Sequence, residues 1–110
     1  MTNYTKLKRS LQKLGFKPIG RHDNCTIMRN DKYELTIIRY DEGVNYHCNR
    51  IEDWLPVFWQ HSTAKGIEMY TGDNQCHYDT SIPSDDSIEA AIGLAVYMAD
   101  AGVEGNTWPV

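Results

Sequence analysis

Apolar residues recur at helical spacing near the two ends of the chain and at strand spacing between them. Tyr4, Leu7, Leu11 and Leu14 follow one another in steps of three and four, which places them on one face of a helix. Asn3 stands where an N-cap belongs and Gly15 where a helix stops. Lys6, Arg9 and Lys13 repeat at the same spacing on another side, so the pattern predicts an amphipathic helix with its cations in solvent.

The middle reads as strands. Phe16 to Arg21 suits a short edge strand, because Pro18 lacks the N–H that a central strand would donate. Cys25 to Arg29 and Tyr33 to Tyr40 are β-branched and aromatic runs separated by Asn30 and Asp31, a hairpin signal. Asp41-Glu42-Gly43 supplies a second tight turn, with Gly43 free to take positive φ, before Val44, Tyr46 and Cys48 alternate with polar residues. From Ile51 to Ser62 the spacing of Ile51, Trp54, Leu55, Phe58 and Trp59 is helical, and Pro56 fits a first helical turn, so a short helix capped by Asp53 is expected. Lys65-Gly66 opens another extended run to Tyr70, Gly72-Asp73-Asn74 turns it, and Gln75 to Ser81 returns.

From Ser84 onward the period is again helical. Ile88, Ala91, Ile92, Ala95, Val96 and Ala99 mark one face and Ala90, Leu94, Tyr97 and Ala101 a second, so only the stripe through Glu89, Gly93 and Asp100 lacks large apolar groups. A helix apolar on most sides is covered on most sides, here by the sheet and by another element or a second copy. Ser84, Asp85, Asp86 and Glu89 crowd its first turns, where the helix dipole favours negative charge, and Gly102 ends it. The expectation is one α+β domain over residues 1–110: an antiparallel meander sheet of about five strands, an N-terminal amphipathic helix and a largely buried C-terminal helix.

Composition narrows the class. The chain has 110 residues, 41% hydrophobic and 24% charged, enough for an unaided core. Uncharged apolar runs stay well short of the ~18 residues of a membrane span, and Lys6, Lys8, Arg9 and Lys13 are followed by no apolar leader segment, so an intracellular, cytoplasmic protein with no membrane partner is expected. Cys25, Cys48 and Cys76 are odd in number and far apart, which fits a reducing compartment. Charge is divided by position. Residues 1–40 hold nine basic and three acidic groups, a net of +6, whereas residues 41–110 hold two basic and twelve acidic groups, a net of −10. Such asymmetry points to a charged partner when it survives folding.

Motifs for catalysis and metal binding are sparse. His47-Cys48 and Cys76-His77 are adjacent pairs, and adjacent strand residues point to opposite faces, so neither pair chelates one ion from a regular strand. The chain contains no Gly-X-Ser-X-Gly elbow and no Gly-X-Gly-X-X-Gly cradle. No cofactor, no metal and no enzymatic activity are expected; a small enzyme with a Cys or His site is the alternative, since such groups converge in space rather than in sequence.

The order helix, three-stranded meander, helix over residues 3–50 and 84–101 resembles the double-stranded-RNA-binding domain. That family carries lysines at the start of its second helix to grip phosphates, whereas Ser84-Asp85-Asp86-Ser87-Ile88-Glu89 stands there in this chain, and residues 51–83 are an insertion. Its function is therefore not carried over, and nucleic-acid binding through Lys6, Arg9, Lys13 and Lys17 remains as an alternative.

In the second part Trp54, Phe58, Trp59, Tyr70, Tyr78 and Trp108 are interleaved with carboxylates, a mixture suited to an interface with aromatic anchors, although Trp54 and Trp59 fit a core better. The partner-binding residues expected from this pattern are Asp73, Asp79, Asp85, Asp86 and Glu89 with Tyr70, Tyr78 and Trp108. In size, acidity and lack of catalytic motifs the chain looks like the small phage-encoded inhibitors of nucleic-acid-targeting enzymes, including anti-CRISPR and DNA-mimic proteins. That likeness implies a non-enzymatic interaction module whose acidic surface engages the basic nucleic-acid-binding surface of a larger protein. Ala90, Gly93 and Ala95 also leave room for a neighbouring backbone, so a homodimer is a further expectation.

Overall fold

In the computed structural model, the described residues are 3–71, 76–78 and 87–101. A helix α1 (Asn3–Lys13) precedes seven strands, β1 (Lys17–His22), β2 (Cys25–Arg29), β3 (Tyr33–Tyr40), β4 (Gly43–Arg50), β5 (Pro56–Thr63), β6 (Gly66–Thr71) and β7 (Cys76–Tyr78), and a helix α2 (Ile88–Ala101) follows. The strands lie in chain order in one sheet with every neighbour antiparallel. The α+β meander read from the sequence is present, with seven strands rather than about five. Because β5, β6 and β7 extend the same sheet, these strands are not an insertion into a three-stranded domain, and the likeness in element order to the double-stranded-RNA-binding domain does not extend to the architecture.

α1 ends as its sequence requires. Gly15 takes φ 87°, its N–H bonds to the Gln12 carbonyl, and the Phe16 N–H reaches back to the Leu11 carbonyl, which is the Schellman pairing. Phe16 and Leu11 are both buried, so this cap also turns the chain into the core. Gly43 is needed for a different reason from the one expected. Its φ is not positive; instead a Cβ built there would lie 2.0 Å from the Ser62 carbonyl oxygen, so the close approach of β4 to β5 excludes any side chain.

Both helices lie on one face of the sheet. Leu7 and Leu11 of α1 and Ile92, Val96 and Ala99 of α2 join Met28, Leu35, Ile37, Val44, Tyr46, Phe58 and Met69 in one buried cluster. Each fully buried Leu, Ile or Met contributes roughly 1.5–3 kcal/mol relative to exposure, so this layer is the main source of stability.

The expected helix at Ile51–Ser62 is not formed. Ile51 to Asp53 turn and Pro56–Thr63 is a central strand with Pro56 at its first position, where a missing N–H is tolerated. The strand period is concealed because the buried positions of β5 are Phe58, Gln60 and Ser62, two of them polar, while Trp59 is partly exposed on the other side. α2 shows the same inversion. Gly93 and Asp100, from the stripe without large apolar groups, are buried, whereas Leu94 and Met98 are 48% and 63% exposed. α2 is thus buried on one side only, and its N-cap is Ser87, whose Oγ accepts from the Ala90 N–H at 3.1 Å.

The buried polar residues bond to one another, with only Gln60 Oε1 left without a partner among them. Tyr46 donates to Asp100 Oδ1 at 2.7 Å, Gln60 Nε2 donates to Asp100 Oδ2 at 3.1 Å and lies 2.9 Å from Ser62 Oγ, and the Ser62 side chain is also hydrogen-bonded to Asp100. Burial pushes the Asp100 carboxyl up to about 6 against the opposing pull of those three partners. Among the described residues, no helix is long and apolar enough to cross a membrane.

Candidate interaction surfaces

The most exposed large aromatic side chain among the described residues belongs to the turn between β4 and β5. Trp54 is 53% and Leu55 44% exposed. The turn that carries them is tightly bonded: the Arg50 N–H donates to the Leu55 carbonyl at 2.9 Å and the Trp54 N–H to the Arg50 carbonyl at 2.7 Å. Asp53 Oδ1 accepts from the Leu55 N–H at 3.1 Å, an Asx turn, and also from Arg50 Nε at 3.0 Å. These bonds, the Arg50 guanidinium's foremost, hold the Asp53 carboxyl below its usual range. A further bond from the Ile51 N–H to the Lys32 carbonyl ties the turn to the β2–β3 turn.

Within this frame Trp54 adopts φ 57°, a left-handed backbone that a bulky residue rarely takes. The local frame therefore enforces a conformation that the residue itself disfavours, and the result is an indole presented to solvent. Glu52 is exposed beside it, and Asp31 and Lys32 are exposed on the adjoining turn.

The chain has no match among protein-family models, curated proteins or solved structures.

Of the partner-binding residues expected from the sequence, Asp73, Asp79, Asp85, Asp86 and Trp108 lie outside the described residues, as do Ser84 and Gly102. Glu89 is half-buried, with Oε1 accepting from the Tyr33 hydroxyl at 3.0 Å, so it ties α2 to β3 rather than facing outward. Tyr70 pairs in register with Trp59, and Tyr78 with Met69, so the two tyrosines lie on different strands, β6 and β7. Asp100, one of the twelve later acids, is core. Among the described acids of the second part, Asp41, Glu42, Glu52 and Glu68 are exposed without a bonded partner shown for them, and they sit on three different segments.

The sheet face opposite the helices carries a second aromatic group. Trp59 Nε1 donates to His47 Nε2 at 2.8 Å, which requires the neutral imidazole with its proton on Nδ1. Burial lowers the His47 pKa in keeping with that state. The rings of Trp59 and His61 stand 5.8 Å apart and those of Tyr40 and His61 5.9 Å apart. Asn45 Oδ1 and His61 Nε2 are enclosed without a hydrogen-bond partner among the described residues. Trp59 thus belongs to a partly covered surface layer, and Trp54 to the exterior.

The Cys48 thiol is buried and pushed up to about 12, opposite to the activation that a nucleophilic cysteine needs. Among the described residues, no three His, Cys, Asp or Glu side chains converge as a metal site.

The residue pattern favours a core position for Trp54, and the structure places it outside. The signal that separates the two is Asp53 followed two residues later by the N–H of Leu55, an Asx turn that ends at Pro56 and throws the intervening side chain outward.

Proposed function

We propose that this chain is a non-enzymatic protein-interaction module that docks on a larger protein through the Trp54–Leu55 turn. The observation that carries this reading is the indole held exposed, at positive φ, on a turn fixed by its own hydrogen bonds. Tryptophan is the commonest interface hot spot, and presenting it on a rigid frame lowers the entropy lost on binding. Backbone strain that the surrounding bonds sustain is characteristic of functional positions.

The acidic character of the second part supports a partner with a basic surface, of the kind a nucleic-acid-targeting enzyme offers, and the chain would then act as a phage-type inhibitor. Glu52 beside Trp54 contributes to that attraction. Long-range attraction of this sort governs encounter rate and salt dependence more than final affinity.

Affinity capture from the native host, comparing the wild type with Trp54→Gly, tests the proposal. Glycine removes the anchor and also relieves the left-handed backbone, so the variant folds at least as stably as the wild type. Loss of the captured protein with stability retained is the expected result. Undiminished capture by the variant would overturn the assignment of the turn, and a complex unchanged between about 50 and 500 mM salt would overturn the electrostatic component.

A further inference from the structure

A groove of about 630 Å³ runs between α1 and α2 on the outer side of the helical layer and takes no lining residue from the Trp54 turn. Its α2 wall carries Leu94 and Met98, one turn apart and 48% and 63% exposed. Its α1 wall carries Lys6, Arg9 and Lys13, all exposed. Ala91, Ala95 and Ser10 leave space between the walls.

The two walls match in length. Lys6 to Lys13 and Ala91 to Met98 each span seven residue steps, about 10.5 Å of helix. α1 contains no carboxylate, and among the described residues none of the three cations has an ion-pair partner. An occupant must therefore bring apolar side chains to one wall and negative charge to the other. We propose that this groove binds an acidic amphipathic helix of a partner protein, its apolar residues at i, i+3 or i+4 and i+7 against Leu94 and Met98, and its carboxylates along the Lys6–Arg9–Lys13 row.

Other occupants suit the groove less well. A nucleic-acid backbone uses the cations and leaves Leu94 and Met98 in contact with charge. A second copy has no free carboxylate to offer from its described helices: α1 carries none, Glu89 is bonded to Tyr33, and Asp100 is buried. The small residues between the walls admit a helix backbone, as at other helix-in-groove sites. The site is independent of the Trp54 turn, so the molecule would hold two partners, or two parts of one, at once.

The test uses the full chain and a fluorescein-labelled peptide of about 15 residues with leucines at i, i+3, i+4 and i+7 and glutamates on the flanks. Its controls are the same peptide with every glutamate replaced by lysine, a duplex DNA, a duplex RNA and phosphatidylglycerol vesicles. Expected is saturable binding below about 100 μM that weakens about tenfold or more in Leu94→Gln/Met98→Gln, in Lys6→Glu/Arg9→Glu and with the lysine peptide, and that Trp54→Gly leaves unchanged.

Glutamine keeps the helix and replaces only exposed apolar surface, so circular dichroism of that variant should equal the wild type. No saturation up to about 500 μM overturns the proposal, as does equal binding of the two peptides or binding insensitive to both double variants. Binding of duplex or vesicle in preference to the acidic peptide also overturns it, in favour of a nucleic-acid or lipid surface. So does a dimer in light scattering that Leu94→Gln/Met98→Gln dissolves, since a second copy would then cover the groove.

Discussion

The hydroxyl of Tyr46, in the middle strand of the sheet, donates a 2.7 Å hydrogen bond to the carboxylate of Asp100, in the last turn of α2. Both residues are buried, and Asp100 is 2% exposed. A carboxylate at the C-terminal end of a helix meets the unfavourable pole of the helix dipole, and burial adds a desolvation cost. Tyr46, Gln60 and Ser62 offset those costs with hydrogen bonds from β4 and β5. This network fixes which side of α2 faces the sheet, and with it the outward position of Leu94 and Met98.

Stability should rise as pH falls through the Asp100 titration. The folded value of about 6 lies above the ordinary aspartate value of 3.8, so the native state binds the proton more tightly than the unfolded chain. The stabilising contribution is complete below the unfolded value and is lost as pH rises through about 6. Its full size is on the order of 3 kcal/mol. Denaturant unfolding of wild type and Asp100→Asn at about pH 4.5 and 7.5 measures it: the asparagine variant should lack this part of the pH dependence. An identical pH dependence in the two proteins would place the titration elsewhere.

Tyr46→Phe should destabilise the protein by about 1–3 kcal/mol at neutral pH, because it leaves a buried charged acceptor short of one donor. The loss should shrink at about pH 4.5, where the protonated carboxyl makes a smaller demand on its donors. A loss that is the same at both pH values would mean that tyrosine acts there through packing alone. The comparison needs only unfolding midpoints, since the ring stays in place.

Gly43→Ala tests the close approach of β4 to β5. A methyl group there meets the Ser62 carbonyl carbon and oxygen at 3.0 and 2.0 Å, both backbone atoms that cannot swing aside. The expected cost is about 1–3 kcal/mol or more, typical of overpacking, with the β4–β5 pairing around Val44 and Ser62 loosened. Amide hydrogen exchange of residues 43–46 and 60–63 locates the effect. Unchanged exchange in the alanine variant would contradict the steric account.

How far the fold could be read from the sequence depended on which residues carried the polar network. Strands β2 to β4 place Met28, Leu35, Ile37, Val44, Tyr46 and Cys48 inward at a period of two, and their positions were plain. In β5 the inward residues are Phe58, Gln60 and Ser62, so the apolar spacing that remained, Ile51, Trp54, Leu55, Phe58 and Trp59, imitated a helix. Only the partner, Asp100, explains why Gln60 and Ser62 face the core, and that partner is forty residues away from Gln60. The same long-range bond hid the orientation of α2, whose polar stripe looked like its solvent face. For the candidate sites, the Lys6–Arg9–Lys13 row is legible by its period, whereas Leu94 and Met98 sit in a helix whose apolar residues on most sides conceal which of them face outward. The outward position of Trp54 follows from the Asx turn at Asp53, which its apolar spacing does not reveal.

His47 and Trp59 supply a titration of opposite sign. Trp59 donates its indole N–H to His47 Nε2, a bond that a doubly protonated imidazole cannot accept, and burial of the ring lowers its pKa below the ordinary 6.5. A histidine whose folded pKa is depressed contributes stability above the unfolded value and loses it as pH falls through the folded value. Acidification therefore weakens the open face of the sheet over a range in which it strengthens the Asp100 network on the helix face. The Trp59 indole should report the change directly: the imidazole C–H resonances of His47, followed by nuclear magnetic resonance, should titrate below 6.5 together with a change in Trp59 fluorescence. In Trp59→Phe the ring of His47 loses both its donor and part of its cover, and its pKa should move back toward 6.5. A wild-type His47 that titrates at or above 6.5 would show that the imidazole is not held neutral by its place in the sheet, and the hydrogen bond from Trp59 would then have to be abandoned as well.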